Sequence, residues 1–255
     1  MASFGNLGRC VRCCVCLLVL SVVISGCGSD AAVVSEEVGS MPNAGVLHAS
    51  YVLPSPETDG GISVERALAE RRSRRSFSDE ALSAEQLSQI LWAAYGVSEQ
   101  ASDGSSSGGR LRTAPSAGAL YPLEVYVAVG NVTDIEAGVY KYVSQEHALV
   151  RVIDGDIRQE LSSAALGQAM IVDAPATLIY CGVFDRISDR YGQRGRDRYV
   201  FMEIGHSAQN VYLQAEAMGL GACAVGAFTD ADVSELLELP AGEDPFYLMP
   251  VGHYS

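Results

Sequence analysis

The chain has 255 residues, 48% of them hydrophobic, so it is long enough for one large domain or two small ones and is not a mainly disordered polypeptide. Its 17 basic residues stand against 31 acidic ones and give a formal net charge of −14. This balance excludes the broad basic surface of a general nucleic-acid-binding protein.

The first 27 residues have the pattern of an export signal. Arg9 and Arg12 form a basic start, and the apolar run from about residue 15 to residue 24 is too short to span a bilayer as a mature helix. The ending "ISGC" (24–27) resembles a bacterial lipobox, with Ile24 where leucine is more usual, and predicts that Cys27 is lipidated. An uncleaved N-terminal anchor is the alternative. Either way, we expect an exported protein held on the outer face or periplasmic side of the cell membrane.

The cysteines divide into two groups. Four lie within the signal segment, where their C-x-x-C spacing is interpreted as apolar filler and not as a metal site: Cys10, Cys13, Cys14 and Cys16. Beyond Cys27, only Cys181 and Cys223 remain, each in an apolar run. We predict buried free thiols at both positions, with a disulfide between them as the alternative in an oxidising compartment.

Residues 28–61 are small, polar and interrupted by Pro42, Pro54 and Pro56, which predicts a flexible tether. The globular domain is then expected over residues 62–255, a size that suits a single domain.

The first predicted elements of this domain are two helices. Apolar spacing after Ser63 indicates a short helix that ends at the arginines of "RRSRR" (71–75). A second helix begins at a capping box formed by Ser83 and Gln86. The Gly/Ser-rich residues 98–110 then predict a loop.

The rest of the domain alternates strands and helices without a regular βαβ repeat, which favours an α+β fold. Strands are predicted at 123–129, 138–143, 148–153, 176–184, 222–228 and 245–253, and helices at 157–169, 197–218 and 230–239. The helix over 197–218 is apolar around most of its circumference and lacks a clean polar face.

The run of arginines at 71–75 is unusual in an acidic chain. Four guanidinium groups within five positions repel one another unless an anion lies among them, and guanidinium forks with the Ser73 hydroxyl suit phosphate oxygens. "PSAG" (115–118) and "AVGAF" (224–228) supply small residues where backbone approaches a ligand closely, and Gly118 can adopt a positive φ. Together they suggest a mononucleotide site; a solvated charge cluster and an ordinary turn are the alternatives. No G-x-G-x-x-G follows a predicted strand, so a Rossmann dinucleotide site is unsupported.

Four motifs in this order, "RRSRRSF", "PSAGALYPLEVYV", "GHSAQNVYLQAEAMGLGACAVGAF" and "MPVGH", resemble the nitroreductase superfamily and, within it, the SagB-type dehydrogenases. The resemblance covers essentially all of residues 62–255. It implies a central, mostly antiparallel sheet flanked by helices, and a homodimer with two FMN sites at its interface.

The resemblance also assigns site residues. The FMN phosphate and ribityl chain would be held by Arg71, Ser73 and Arg75, joined by Arg72, while Arg74 would face solvent. The segment against the isoalloxazine ring would be Pro115, Ser116, Ala117 and Gly118. The backbone near flavin N5 would be Gly226 and Ala227.

The pair Arg190–Tyr191 is expected to be catalytic, and it is also the main departure from the resemblance. SagB-type members that oxidise azoline rings carry a Lys-Tyr pair here, and arginine, unlike lysine, does not lose its proton. We therefore expect Arg190 to bind an anionic group and Tyr191 to give or take a proton. His206 is expected to be structural, and His253 could help to neutralise the phosphate.

The function expected from the sequence is thus a membrane-tethered FMN oxidoreductase acting on a small-molecule or peptide substrate, with no nucleic-acid partner. The alternative is a non-catalytic flavin- or ligand-binding lipoprotein on the same fold.

Overall fold

The computed structural model describes residues 51–99 and 111–255. The predicted signal segment, the predicted tether up to residue 50 and most of the Gly/Ser-rich loop lie outside the described residues. Within the described part, no helix is both long enough and apolar enough to cross a membrane.

The amino-terminal elements begin where the sequence predicts them. A short strand, β1 (Tyr51–Val52), precedes helix α1 (Val64–Glu70), whose first turn is capped by the Ser63 side chain. Helix α2 (Ala84–Tyr95) begins at the predicted capping box, in which Ser83 and Gln86 each accept a hydrogen bond from the other's backbone N–H.

Most of the remaining elements belong to the central sheet or to the helices that cover it. A small antiparallel pair, β2 (Val97–Glu99) and β3 (Leu111–Arg112), flanks the Gly/Ser-rich loop. Then come β4 (Leu123–Val129), β5 (Gly138–Val143), β6 (Ala148–Asp154), α3 (Arg158–Ala164), α4 (Met170–Asp173), β7 (Ala176–Val183) and α5 (Asp185–Arg194). The last are α6 (Val200–Ala217), β8 (Gly221–Ala222), α7 (Asp230–Leu236) and β9 (Glu243–Gly252).

Among the residues that the structure describes, seven strands form one sheet in the order β1-β6-β5-β4-β7-β9-β8. Each of these neighbouring pairs is antiparallel. The α+β class and the mostly antiparallel central sheet are therefore confirmed.

Both faces of the sheet are buried, which explains the mainly apolar sequences of its central strands. In β7, Leu178 and Tyr180 point to the same core as α2 and α6. Their neighbours Ile179 and Cys181 point to the opposite core, which α3, α4 and α7 cover. The sheet is thus the middle layer of a sandwich, and the helices on both faces position the loops that carry the site.

Three predicted boundaries are wrong. The tether does not extend to residue 61, because Tyr51 pairs with Leu149 of β6 and Leu53 is buried. The strand expected at 222–228 is only β8 and one bridge between Val225 and Leu248, because the glycine and alanine residues offer few side chains to pack. The long helix begins as a π-type turn at Gly195–Tyr199 before α6 proper.

Cys181 and Cys223 are both free and buried, as predicted for structural thiols. Burial raises the pKa of the Cys181 thiol well above its usual value, so this sulfur stays protonated and unreactive.

Candidate functional site

The arginine run lies between α1 and the far end of α6. The chain leaves α1 at Arg71, whose guanidinium carbon lies 5.2 Å from the centre of the Tyr212 ring. The Ser73 hydroxyl lies 3.1 Å from the Tyr212 hydroxyl, which also accepts a hydrogen bond of 2.7 Å from the backbone N–H of Ala224. Tyr212 thus brings together two segments that the sequence proposed for the site, the run at 71–75 and the strand end at 222–228.

Alternate residues of the run face different ways. Arg74 points away from Tyr212 and stacks on Tyr254, with 4.2 Å from the guanidinium carbon to the ring centre, and its buried Nε has no hydrogen-bond partner. The expectation that Arg74 faces solvent is therefore wrong. Arg72 is exposed and donates to the carbonyls of the helix end, while Arg75 is exposed.

The charge of this run is not balanced within the described part of the chain. Other arginines pair with carboxylates: Arg66, Arg151, Arg158, Arg186 and Arg196. Over residues 51–99 and 111–255, no such ion pair involves any arginine of the run. The chain is rich in carboxylates, with a net charge of −14, yet none of the described carboxylates pairs with the run. The run is therefore suited to an external anion.

The "PSAG" segment forms a strained turn at the amino-terminal end of β4. Ala117–Ala119 is a single 3-10 turn in which Gly118 has φ of +64°, as the sequence suggested. Ala119 and Tyr121 also have positive φ, at +54° and +49°, which side chains other than glycine adopt at a cost. The turn leaves Pro115 and Gly118 exposed, so its backbone is open to a ligand.

Arg190 and Tyr191 lie directly against this turn. Arg190 donates a hydrogen bond of 3.4 Å to the carbonyl of Gly118. A Cβ atom at Gly118 would meet the Tyr191 hydroxyl at 2.8 Å, so only glycine allows this approach. Gly192 breaks the helix immediately afterwards with φ of +55°, and Tyr191 packs edge-on against Tyr199. The proposed catalytic pair is thus brought to the proposed ring-facing segment.

Gly226 and Ala227 are exposed beyond the bridge between Val225 and Leu248. The Ala227 carbonyl accepts a hydrogen bond of 2.9 Å from the Gln168 side chain. That contact fixes the direction of the backbone at the point where the resemblance puts flavin N5.

Helix α6 organises the whole site through residues that the sequence analysis missed. Near its start, the carboxyl of Glu203 accepts a short hydrogen bond from the Tyr95 hydroxyl and lies beside the hydroxyl of Ser116. Near its end is Tyr212, nine positions later and therefore about 13–14 Å further along the axis. The sequence did contain a signal for Glu203. Its helical spacing puts it on the same face as the buried Val200 and Ile204, and positions on such a face are normally apolar.

The two histidines lie outside these contacts. His206 is exposed on α6, and His253 lies 3.6 Å from Glu80. Among the described residues there is no cluster of histidine, cysteine and carboxylate groups that could hold a metal ion.

Comparison with known proteins matches this arrangement. A family model described as "Nitroreductase family" covers residues 68–253. A protein of Methanocaldococcus jannaschii, provisionally named a nitroreductase, is 46% identical over 191 residues, which are 75% of this chain and 91% of that protein.

The chain belongs to the nitroreductase family.

Two further relatives carry more specific names. The FMN reductase [NAD(P)H] of Bacillus subtilis is 26% identical over 207 residues, 74% of this chain and 65% of that protein. The microcin B17-processing protein McbC of Escherichia coli is 32% identical over 133 residues, and the match spans 50% of this chain and 48% of McbC. A crystal structure from Ralstonia eutropha, also provisionally named a nitroreductase, superposes with a TM-score of 0.70 at 29% identity and covers 83% of this chain and 92% of that one.

The residues of this nitroreductase fit the cofactor of the family, FMN. Unpaired guanidinium groups and the Ser73 hydroxyl supply the donors that a phosphate needs. The exposed backbone at Pro115 and Gly118 is accessible to a flat ring. This chain is therefore an oxidoreductase of the nitroreductase superfamily with FMN as its cofactor.

Proposed function

We propose that this chain is a membrane-tethered FMN oxidoreductase resembling the SagB-type dehydrogenases, which acts on a small-molecule or peptide substrate bearing an anionic group. The observation that carries this proposal is the contact of Arg190 and Tyr191 with the turn at Gly118. It puts a permanent cation and a hydroxyl beside the segment that we assign to the flavin ring.

The cofactor would be held by residues from three segments. Arg71, Ser73 and Arg75, joined by Arg72, would bind the phosphate and ribityl chain; residues 115–118 would lie against the ring; and Gly226 and Ala227 would lie near N5. When bound, FMN supplies hydride or electron transfer at N5. The chain's own residues then have to orient the substrate and move a proton.

Arg190 suits the first of these tasks. Its guanidinium is exposed, stays charged at any ordinary pH and can bind a carboxylate or phosphate with two parallel hydrogen bonds. Its bond of 3.4 Å to the Gly118 carbonyl is long, so most of its donors are left for a ligand. Tyr191, whose hydroxyl reaches the same glycine, would give or take the proton that accompanies transfer.

Some SagB-type dehydrogenases oxidise azoline rings, and we propose that this chain performs that reaction weakly or not at all. A general base must lose its proton, which arginine does not do at ordinary pH. Efficient azole formation by the unaltered protein would contradict this argument, and Arg190→Lys is the variant expected to gain any such activity.

The test uses matched substrates. Full-length protein would be assayed with 4-nitrobenzoate and with its uncharged methyl ester as electron acceptors. Arg190→Gln is expected to raise KM for the anion about tenfold while leaving the ester unchanged, since it removes one charge-assisted contact. Equal effects on both substrates would reject a role in anion binding, and bound FMN with no turnover by any donor and acceptor would favour the non-catalytic lipoprotein.

We also propose that the protein is a homodimer attached to the cell membrane through lipid on Cys27. Family members are commonly homodimers, and exposed apolar side chains occur on the helices next to the site: Val64 and Leu68 on α1, and Phe201 and Met202 on α6. The membrane attachment rests on the sequence of residues 1–27 alone.

A further inference from the structure

We propose that Glu203 is a positioning residue, which holds the turn at residues 116–121 in its strained conformation through a buried network of hydroxyl groups. This inference rests on the proposed function, because the turn is the segment assigned to the flavin ring. It concerns a side chain that would not itself touch the cofactor.

The network begins at a carboxyl group that is almost completely buried. Glu203 is 1% exposed, and its Oε1 accepts a hydrogen bond from the Tyr95 hydroxyl. The same Tyr95 oxygen lies 3.4 Å from the backbone N–H of Leu123, the first residue of β4. Glu203 is therefore connected to the residue at which the turn ends.

A second branch reaches the residue at which the turn begins. The Ser116 oxygen accepts a hydrogen bond of 2.9 Å from the backbone N–H of Tyr121, which closes the turn on itself. The Ser116 hydroxyl also lies beside the Glu203 carboxyl. The carboxyl group is thus close to the start of the turn as well as connected to the strand that follows it.

The turn needs such support because three of its backbone positions are strained or unusual. Gly118, Ala119 and Tyr121 all have positive φ, and only the first is a glycine. Strained backbone persists only where the surroundings determine it, and here those surroundings are the buried network. Without an acceptor at Glu203, the Tyr95 hydroxyl would lose the partner that orients it.

The groups that face the carboxyl come from several elements. They are Tyr95 of α2, Arg112 of β3 and Ser116 of the turn. Arg112 is held over the rings of Tyr95 and Tyr121, at 4.1 Å and 4.7 Å from their centres. Burial raises the pKa of Glu203, although the two hydroxyl groups and the Arg112 charge act in the opposite direction.

The network depends on one acceptor atom. Tyr95 donates to Oε1 of Glu203, while Oε2 has no hydrogen-bond partner in the structure. Glutamine at this position keeps an accepting oxygen, whereas alanine leaves the Tyr95 hydroxyl without its acceptor.

The experiment measures hydrogen–deuterium exchange of residues 117–121 in full-length protein without FMN, at neutral pH and corrected for intrinsic exchange. Glu203→Ala is expected to speed exchange about tenfold, since it removes the acceptor of Tyr95. Glu203→Gln keeps an accepting oxygen and is expected to restore most of the protection. Glu216→Gln, on the same helix and outside the network, is the matched control and should behave as wild type.

Tyr95→Phe provides a second variant if Glu203→Ala does not fold. It removes one donor at nearly constant volume, and it should also speed exchange of this segment. Wild-type exchange in Glu203→Ala and Tyr95→Phe would overturn the inference. FMN titration of the wild-type protein distinguishes failure of the proposed function from failure of this inference. A protein that binds no FMN can still show the exchange behaviour predicted for the network.

Discussion

Arg71 offers the sharpest test of the phosphate site. Its guanidinium contacts the Tyr212 ring, and no carboxylate of the described residues pairs with it, so Arg71→Ala removes little that supports the fold. A cation over an aromatic ring contributes roughly 0.5–1 kcal/mol at exposed sites and about 2 kcal/mol at buried ones, and Tyr212 is half-buried. A charge-assisted hydrogen bond to phosphate contributes roughly 1.5–3 kcal/mol, so Arg71→Ala should raise the dissociation constant for FMN about ten- to hundredfold.

The assay is titration of apoprotein with FMN, followed by quenching of flavin fluorescence at low and high salt. Arg66→Ala is the matched control, because Arg66 lies on the same helix but forms an exposed pair with Glu70. It should leave the FMN affinity unchanged. The difference between the two variants should shrink as salt rises, since ions screen the contact of Arg71 with phosphate.

Two results would refute the reasoning. Equal affinities of Arg71→Ala and Arg66→Ala would mean that the run is a solvated charge cluster and that its anion is not FMN. A loss of affinity that accompanies a large loss of thermal stability would mean that Arg71 acts through the fold. Arg74→Ala supplies the contrasting case, because its stack on Tyr254 and its contact with Gly221 predict reduced stability with a smaller change in FMN affinity.

Three further predictions concern other parts of the chain. Gly118→Ala should destabilise the protein by about 1–2 kcal/mol in urea titration, because alanine is strained at φ of +64° and its Cβ would meet Tyr191; unchanged stability would show that the turn adapts. Burial lowers the pKa of His147 below 6.5, so the folded state favours the neutral ring, and the stability that His147 contributes should be lost as the pH falls below about 6.5. His147→Gln should flatten this part of the curve of stability against pH. An unaltered curve would assign the loss of stability to other groups. Cys27→Ser should release the protein from the membrane fraction or leave it unprocessed, because stable anchoring requires the lipid; mass spectrometry that finds an unmodified mature terminus elsewhere would contradict lipidation.

The local elements of this fold were predictable because their signals lie within a few residues. The capping box at Ser83 and Gln86 marks the start of α2, and the apolar run at residues 125–129 marks a strand buried on both faces. The order of the motifs identified the family and its cofactor for the same reason, since each motif is a short stretch of backbone and side chains that meets one part of the ligand.

The partners of those motifs were decided only by the tertiary structure. The side of the run on which Arg74 lies depends on Tyr254, which is 180 residues away, and the pairing of Tyr51 with Leu149 draws part of the predicted tether into the sheet. Glu203 shows the same limit from inside the core. A carboxylate among apolar residues is visible in the sequence, but its acceptor role depends on hydroxyl groups from α2 and from the turn before β4. Such groups meet only when the sheet and α6 pack together, because burial and hydrogen-bond geometry are properties of the assembled fold and not of any single segment.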